Sequence, residues 1–201
     1  MKIYRIAIDV HDSKFKEWFG KWDDPNAFSS KGDGSPVSHS VDKDGNPQVM
    51  FHGTTKDFED FEVGLEGTNS NVFCNYKVTR NAIFFTKSPE HAGSFTSSGG
   101  ETDGGNIRPV YLSVKNPLDF TKGVPYHILD EFESVGVNPR WLMNFSWEHL
   151  DDDDGALLVN ACKTLGYDGI IFIDEDPETR ESIESWAVFD KSQIKSVYGA
   201  L

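Results

Sequence analysis

Two stretches decide the fold: Phe51-His52-Gly53-Thr54 and Ile83-Phe84-Phe85-Thr86, completed near the far end by Trp186–Val197 (WAVFDKSQIKSV). Each begins as a short apolar run bounded by turn-forming residues, too short for a helix and rich in the β-branched and aromatic residues that fill strands. Each also carries one conspicuous polar or aromatic group. Three such strands read as three walls of one cleft.

Working outward, residues 2–10 (KIYRIAIDV) alternate apolar and polar and read as an edge strand. Phe15, Trp18 and Phe19 recur at helical spacing and stop at Gly20, a short amphipathic helix with a glycine stop. Residues 23–47 are rich in Asp, Ser, Gly and Pro, and Asp44-Gly45-Asn46-Pro47 signals a turn into a strand over Gln48–His52. The stretch 64–81 lacks periodicity and reads mainly as a loop, followed by a buried strand from Ala82 to Thr86. Ser88-Pro89-Glu90 opens a helix, with serine as cap and proline in the first turn, which ends near Phe95. Residues 97–105 read as flexible, 107–114 as a strand closed by Asn116-Pro117, and 125–150 as helical, broken at Gly136 and Pro139. Asp151–Asp154 suits the start of a helix running from Ala156 to Leu165, capped by Gly166. Strands follow at Gly169–Ile173, Trp186–Phe189 and Ile194–Tyr198. No repeat and no linker interrupts the pattern. One α+β domain over 1–201 is expected, with a twisted, mostly antiparallel sheet on which the 1–47 segment packs.

Composition narrows the function. An apolar content of 37% with 15 Phe and 5 Trp is that of a packed globular chain. A formal charge of −14 and a pI near 4.7 argue against tracking a nucleic-acid backbone. Cys74 and Cys162 are too few for a disulfide framework and have no ligand company, which points to a reduced, intracellular setting. No signal-peptide pattern and no membrane-spanning apolar run is present, so a soluble protein is expected. The six histidines show no zinc-type pairing, and the four consecutive aspartates lack calcium-loop spacing; no metal is expected.

His52 ends its strand beside Gly53 and Thr54, where a glycine lets backbone amides approach a ligand and a hydroxyl stands ready. Each motif alone is weak, since a strand-end histidine or a paired phenylalanine is usually structural. Their order is specific: His-Gly-Thr, then Ile83-Phe84-Phe85-Thr86-Lys87-Ser88-Pro89-Glu90-His91-Ala92, then Phe189-Asp190 with Gln193-Ile194-Lys195-Ser196. This resembles the ADP-ribosyltransferases of the diphtheria-toxin and poly(ADP-ribose)-polymerase-like class, and more narrowly the ADP-ribosyltransferase domain of phage polyvalent proteins. Phe15–Gly20, Asp44–Pro47, Val110-Tyr111-Leu112, Lys115–Leu118 and Gly166–Ile171 fit the same resemblance, which covers the chain from about residue 13.

The resemblance implies a split sheet with flanking helices, NAD as substrate, and a histidine, a tyrosine and a glutamate around the nicotinamide. His52 matches the first position and, with Gly53 and Thr54, is expected to hold a ribose and the carboxamide. Phe84 stands at the tyrosine position, is taken as the second catalytic residue and keeps a ring able to stack on a pyridinium, worth roughly 0.5–2 kcal/mol; its neighbour Phe85 is also expected to contact NAD. Phe95 matches a second stacking aromatic. Ser185 falls in the glutamate slot, with Glu184 one residue earlier and Glu181 in the preceding loop; Glu184 is taken as the third catalytic residue. In a regular strand Glu184 points away from that slot, and a bulge would bring it in. Gln193 matches a recurrent glutamine that contacts cofactor or ties strands. Residues 64–81 stand in for the loop over NAD, with Asn71, Asn75 and above all Arg80 reaching the pyrophosphate. The implied activity is mono-ADP-ribosylation of a host macromolecule, rather a protein than a nucleic acid, in the bacterial cytoplasm, by a phage or mobile-element effector. The alternatives are a catalytically weakened NAD-binding module and an NAD glycohydrolase.

Overall fold

The structure, a computed structural model, describes residues 7–27, 34–55, 57–58, 60–71, 74–96, 105–176 and 179–199. Its centre is a seven-stranded sheet in the order β6-β7-β8-β4-β1-β5-β9. The strands are β1 (Met50–Thr54), β4 (Ile83–Thr86), β5 (Asn106–Leu112), β6 (Pro117–Asp119), β7 (Gly169–Glu175), β8 (Ser182–Val188) and β9 (Ile194–Ser196). Every pairing is antiparallel except β6 with β7, so the expected α+β class with a mostly antiparallel sheet is the one observed.

The two faces of the sheet are set by strand alternation. One buries Met50, Ile83, Phe85, Val110, Leu112, Trp186 and Val188 in a single cluster. The other packs Leu118, Ile170, Phe172 and Ala187 under α3 (Tyr126–Ser134), α4 (Pro139–Met143) and α5 (Asp152–Thr164) through Leu129, Phe132, Leu142 and Leu158. Phe84 and Phe85 therefore serve opposite faces, and so do Ser185 and Trp186.

At the N-terminal side, α1 (Ser13–Phe19) is capped by Asp12, whose carboxylate accepts from Lys14 N at 2.8 Å. Phe15 and Phe19, one turn apart, stack at 5.3 Å and are buried, and Phe15 meets Tyr111 edge-on. The helix stops at Gly20, whose φ of 104° and 2.5 Å approach to Val37 Cα leave no space for a side chain. Of the expected edge strand at 2–10, residues 2–6 lie outside the described residues; Ala7 makes a single bridge to Tyr198.

Residues 64–81 correct the loop expectation. They form an antiparallel hairpin, β2 (Leu65–Asn71) with β3 (Cys74–Arg80), in a sheet of its own. Its register sets Thr68 opposite Lys77 and Asn69 opposite Tyr76, so no apolar alternation marks it; backbone pairing within the hairpin satisfies the strands. Pro117, read as the stop after a strand, opens β6 itself, tolerated because the strand lies at the sheet edge. Helix α2 (Pro89–Ser94) matches its expected start: Ser88 Oγ accepts from His91 N at 3.0 Å. The remaining differences are at ends. The first strand begins at Met50, α5 already at Asp152, and β8 at Ser182.

Candidate active site

The site is centred where β1 and β4 part. Their register is the single pair Phe51↔Thr86, whereas β1 continues along β5 through Thr54. Beyond that pair the His52 side chain takes the place of strand pairing: its Nδ1 lies 2.8 Å from the carbonyl oxygen of Phe84. A carbonyl only accepts, so Nδ1 carries the hydrogen and Nε2 of the neutral ring offers a lone pair. Burial pushes the His52 pKa down, the Phe84 bond opposes this, and the nearby Arg108 charge adds to it. His52 is thus a neutral imidazole of fixed tautomer near pH 7. Phe58 and Phe61, from the segment after β1, and Phe85 surround it edge-on or tilted, with ring centres 5.2–6.1 Å away.

On the side of β1 opposite His52, α2 lies directly on Gly53. A Cβ added there would stand 1.8 Å from the Ala92 carbonyl oxygen and 3.2 Å from Phe95 Cβ. That close approach is available only to glycine. It brings Phe95, 43% exposed at the end of α2, next to the His-Gly strand. Phe84 faces the same side as Gly53, half-buried, with edge-on contacts to Trp147 and Phe172 and the Arg80 guanidinium 5.8 Å from its ring centre.

The β8 register with β4 and β7 is unbroken from Ser182 to Val188, so no bulge turns Glu184 round. Ser185 is buried on Phe84's face, opposite Thr86. Glu184 is on the face of His52, where its Oε1 accepts from Trp186 Nε1 at 2.8 Å and pairs with Lys87 Nζ at 2.7 Å. Glu181 is exposed, its carbonyl accepting from Asp176 N.

Other expected contacts are placed as follows. Arg80 binds both oxygens of Asp151, at 2.9 and 3.1 Å, with its guanidinium also 5.3 Å from the Trp147 ring centre. Burial pushes the Asp151 carboxyl up to about 6 against the pull of Arg80. With Thr79 N donating to Asp152 Oδ1 at 2.8 Å, the pair fastens the β2–β3 hairpin to the start of α5. Asn71 and Asn75 belong to this hairpin, and their side chains lie outside the described residues. Gln193 serves the backbone: Oε1 accepts from Phe189 N and Asp190 N, and Nε2 donates to Asp168 O at 2.6 Å. Thr54 closes β1 beside Gly53.

Sequence reading missed three groups here. Arg108 stands directly across from His52 on β5, stacked 4.0 Å over Phe58; only the strand register reveals it. Buried His91 on α2 joins Asp176 at 3.2 Å and Asp174 at 3.4 Å, fixing α2 to the β7–β8 hairpin. Burial lowers its pKa, but the two carboxylates outweigh that and the net shift is upward. Asp151 stands at the N-cap of α5, as its place before the helix implies, and also binds Arg80, which the sequence does not show. Cys162 is buried in the core with its thiol pushed up to about 12, so it is no nucleophile.

An open, mostly antiparallel sheet thus carries a tautomer-fixed histidine beside a glycine that a helix touches. The model of the family described as ADP-ribosyltransferase in polyvalent proteins matches residues 42–201, and the chain belongs to that family. Helix α1 and its Phe15–Gly20 stretch precede the matched span. No curated protein and no solved structure matches the chain. Among the described residues, no helix is long and apolar enough to cross a membrane.

Proposed function

We propose that this chain is a NAD-dependent mono-ADP-ribosyltransferase acting on a macromolecule of a bacterial host, a protein rather than a nucleic acid, in the cytoplasm. Membership of the family supports ADP-ribosyl transfer in general. The observation that carries the finer reading is His52, neutral, tied through Nδ1 to Phe84 and adjacent to the glycine on which α2 rests. Such a ring accepts a ribose hydroxyl at Nε2 while Gly53 and Thr54 present main chain and hydroxyl to the carboxamide. Phe84 and Phe95 flank the nicotinamide.

In the reaction the bond between the ribose anomeric carbon and the nicotinamide nitrogen breaks, and its electron pair leaves with nicotinamide. The cationic, oxocarbenium-like ribose is captured by an acceptor nucleophile that loses its proton. A carboxylate ~4 Å away lowers such a state by roughly 1–4 kcal/mol, and Glu184 is the residue assigned here. Its place on the face of His52, which holds the ribose, supports that role; the Lys87 partner and the place of Phe84 on the opposite face weaken it. Ser185 at the glutamate position supports single transfer over chain elongation. The same serine, with the missing hydroxyl of Phe84, favours a second reading: an NAD-binding module with little turnover, or one whose acceptor is water.

The test is release of free nicotinamide by purified protein, alone and with bacterial lysate, followed beside transfer of labelled ADP-ribose to protein. Release that needs lysate, labels protein and vanishes in His52→Ala upholds the transferase. Release without label identifies a glycohydrolase. NAD bound without release identifies the module.

A further inference from the structure

We propose that Arg108 holds the pyrophosphate of NAD, exchanging Asp57 for it; this rests on the NAD reading above. Net charge makes a cation necessary. The chain carries −14 and His52 is neutral, so a pyrophosphate brought to this site meets repulsion unless one local cation offsets it. Among the described residues, three cations stand near the site. Arg80 is committed to both oxygens of Asp151, a carboxylate 7% exposed. Lys87 is paired with Glu184. Arg108 is paired with Asp57, whose side chain is 88% exposed, through one bond of 2.8 Å. Of the three partners Asp57 is the least costly to displace, because an exposed carboxylate returns to water without loss.

Placement and geometry agree with charge. Arg108 is the direct cross-strand partner of His52, so the two side chains rise from neighbouring points of one face, ~4.5–5.5 Å apart at Cβ. A ribose hydroxyl on His52 Nε2 sets the adjoining phosphates, a few bonds further, over Arg108. The guanidinium carbon stands 4.0 Å over the Phe58 ring centre, which holds the fork in place, and a planar fork matches two phosphate oxygens. Its Nε is buried and has no hydrogen-bond partner among the described residues. The surface aspartate satisfies one edge of the fork only; a pyrophosphate oxygen reaching over the ring edge satisfies the second. Asp57 and Phe58 sit in the same short segment, so ligand entry moves the carboxylate while the stacked ring stays as the platform.

The experiment is equilibrium titration of NAD, ADP-ribose and phosphate-free nicotinamide riboside into wild type, Arg108→Gln, Arg108→Lys and Asp57→Asn at low and high salt, with thermal melts to verify folding. Arg108→Gln is expected to weaken NAD and ADP-ribose about tenfold or more and flatten their salt dependence, with nicotinamide riboside within about twofold of wild type. Arg108→Lys falls between, and Asp57→Asn tightens NAD. The proposal is overturned if Arg108→Gln binds NAD as wild type does, or loses all three ligands equally. Should Arg108→Gln not fold, an Asp57→Asn protein that binds NAD no tighter than wild type overturns it. Wild-type protein that binds none of the ligands refutes the NAD reading itself, and the proposal with it.

Discussion

Replacing Gly53 by alanine adds one methyl group at the most crowded point of the site. The new Cβ stands 1.8 Å from the Ala92 carbonyl oxygen, about 1.6 Å inside the 3.4 Å at which ordinary contact begins. The obstacle is helix backbone and has no rotamer to change, so α2 must lift from β1 by most of that distance. Phe95, at the end of the same helix, moves with it. Overpacking of this kind costs roughly 1–3 kcal/mol, which for a chain this size lowers Tm by about 2–12 °C. Misplacing a positioned group by 1 Å costs about a hundredfold in rate. Gly53→Ala is therefore expected to remain folded, with a lowered Tm and nicotinamide release reduced about a hundredfold. Gly93→Ala is the control on the same helix. Its Cβ meets only Ile107 Cδ1, at 3.8 Å, so activity holds and stability rises by up to ~1 kcal/mol. Wild-type turnover and Tm in Gly53→Ala, measured side by side with Gly93→Ala, would refute the packing argument.

Three further outcomes are expected. Glu184→Gln lowers nicotinamide release by about tenfold or more while leaving Tm within roughly 2 °C, since the side chain is 35% exposed; unchanged release removes Glu184 from the mechanism. Arg80→Met leaves Asp151 without its cation and costs ~3–5 kcal/mol at pH 7.5. That loss shrinks toward pH 5, because the Asp151 carboxyl, already raised to about 6, takes up a proton there; equal urea-unfolding losses at both pH values contradict it. His91 has a raised folded-state pKa, so its stabilising contribution is complete below its ordinary value of about 6.5 and fades as pH rises through the folded value. The stability gap between wild type and His91→Gln then widens as pH falls from 8 to 6. The lowered pKa of His52 acts in the opposite sense but is common to both proteins. A gap that does not change with pH argues that His91 acts by packing alone.

What the sequence discloses here follows from where apolar contrast exists. The core strands and α2 were legible because Ile83-Phe84-Phe85-Thr86 and Ser88-Pro89 have local signals of burial and capping. The β2–β3 hairpin was not, because pairs such as Thr68 with Lys77 and Ser70 with Asn75 give no apolar alternation and its strands pair with each other rather than with the central sheet. His52, Gly53 and Phe84 were found through their order along the chain. Strand alternation correctly separated Ser185 from Glu184, yet which of them shares a face with His52 depends on pairings that only the folded sheet supplies. Arg108, His91 and Asp151 escaped for the same reason: each acts through a partner distant in sequence, at Asp57, at Asp174 and Asp176, and at Arg80.

The pairing of β4 with β8 also sets a clock. Ile83–Thr86 finds its full four-residue register only against Ser185–Val188, roughly a hundred residues later in synthesis, which at 5–20 residues per second is an interval of about 5–20 s. Until then Phe84 has one neighbouring strand, joined at a single pair, and the wall that bears Glu184 and Ser185 does not exist. A ribosome-bound chain, or one cut short before β8, is therefore silent, and the site comes into being in one late step. For the activity proposed above, that delay separates manufacture from action.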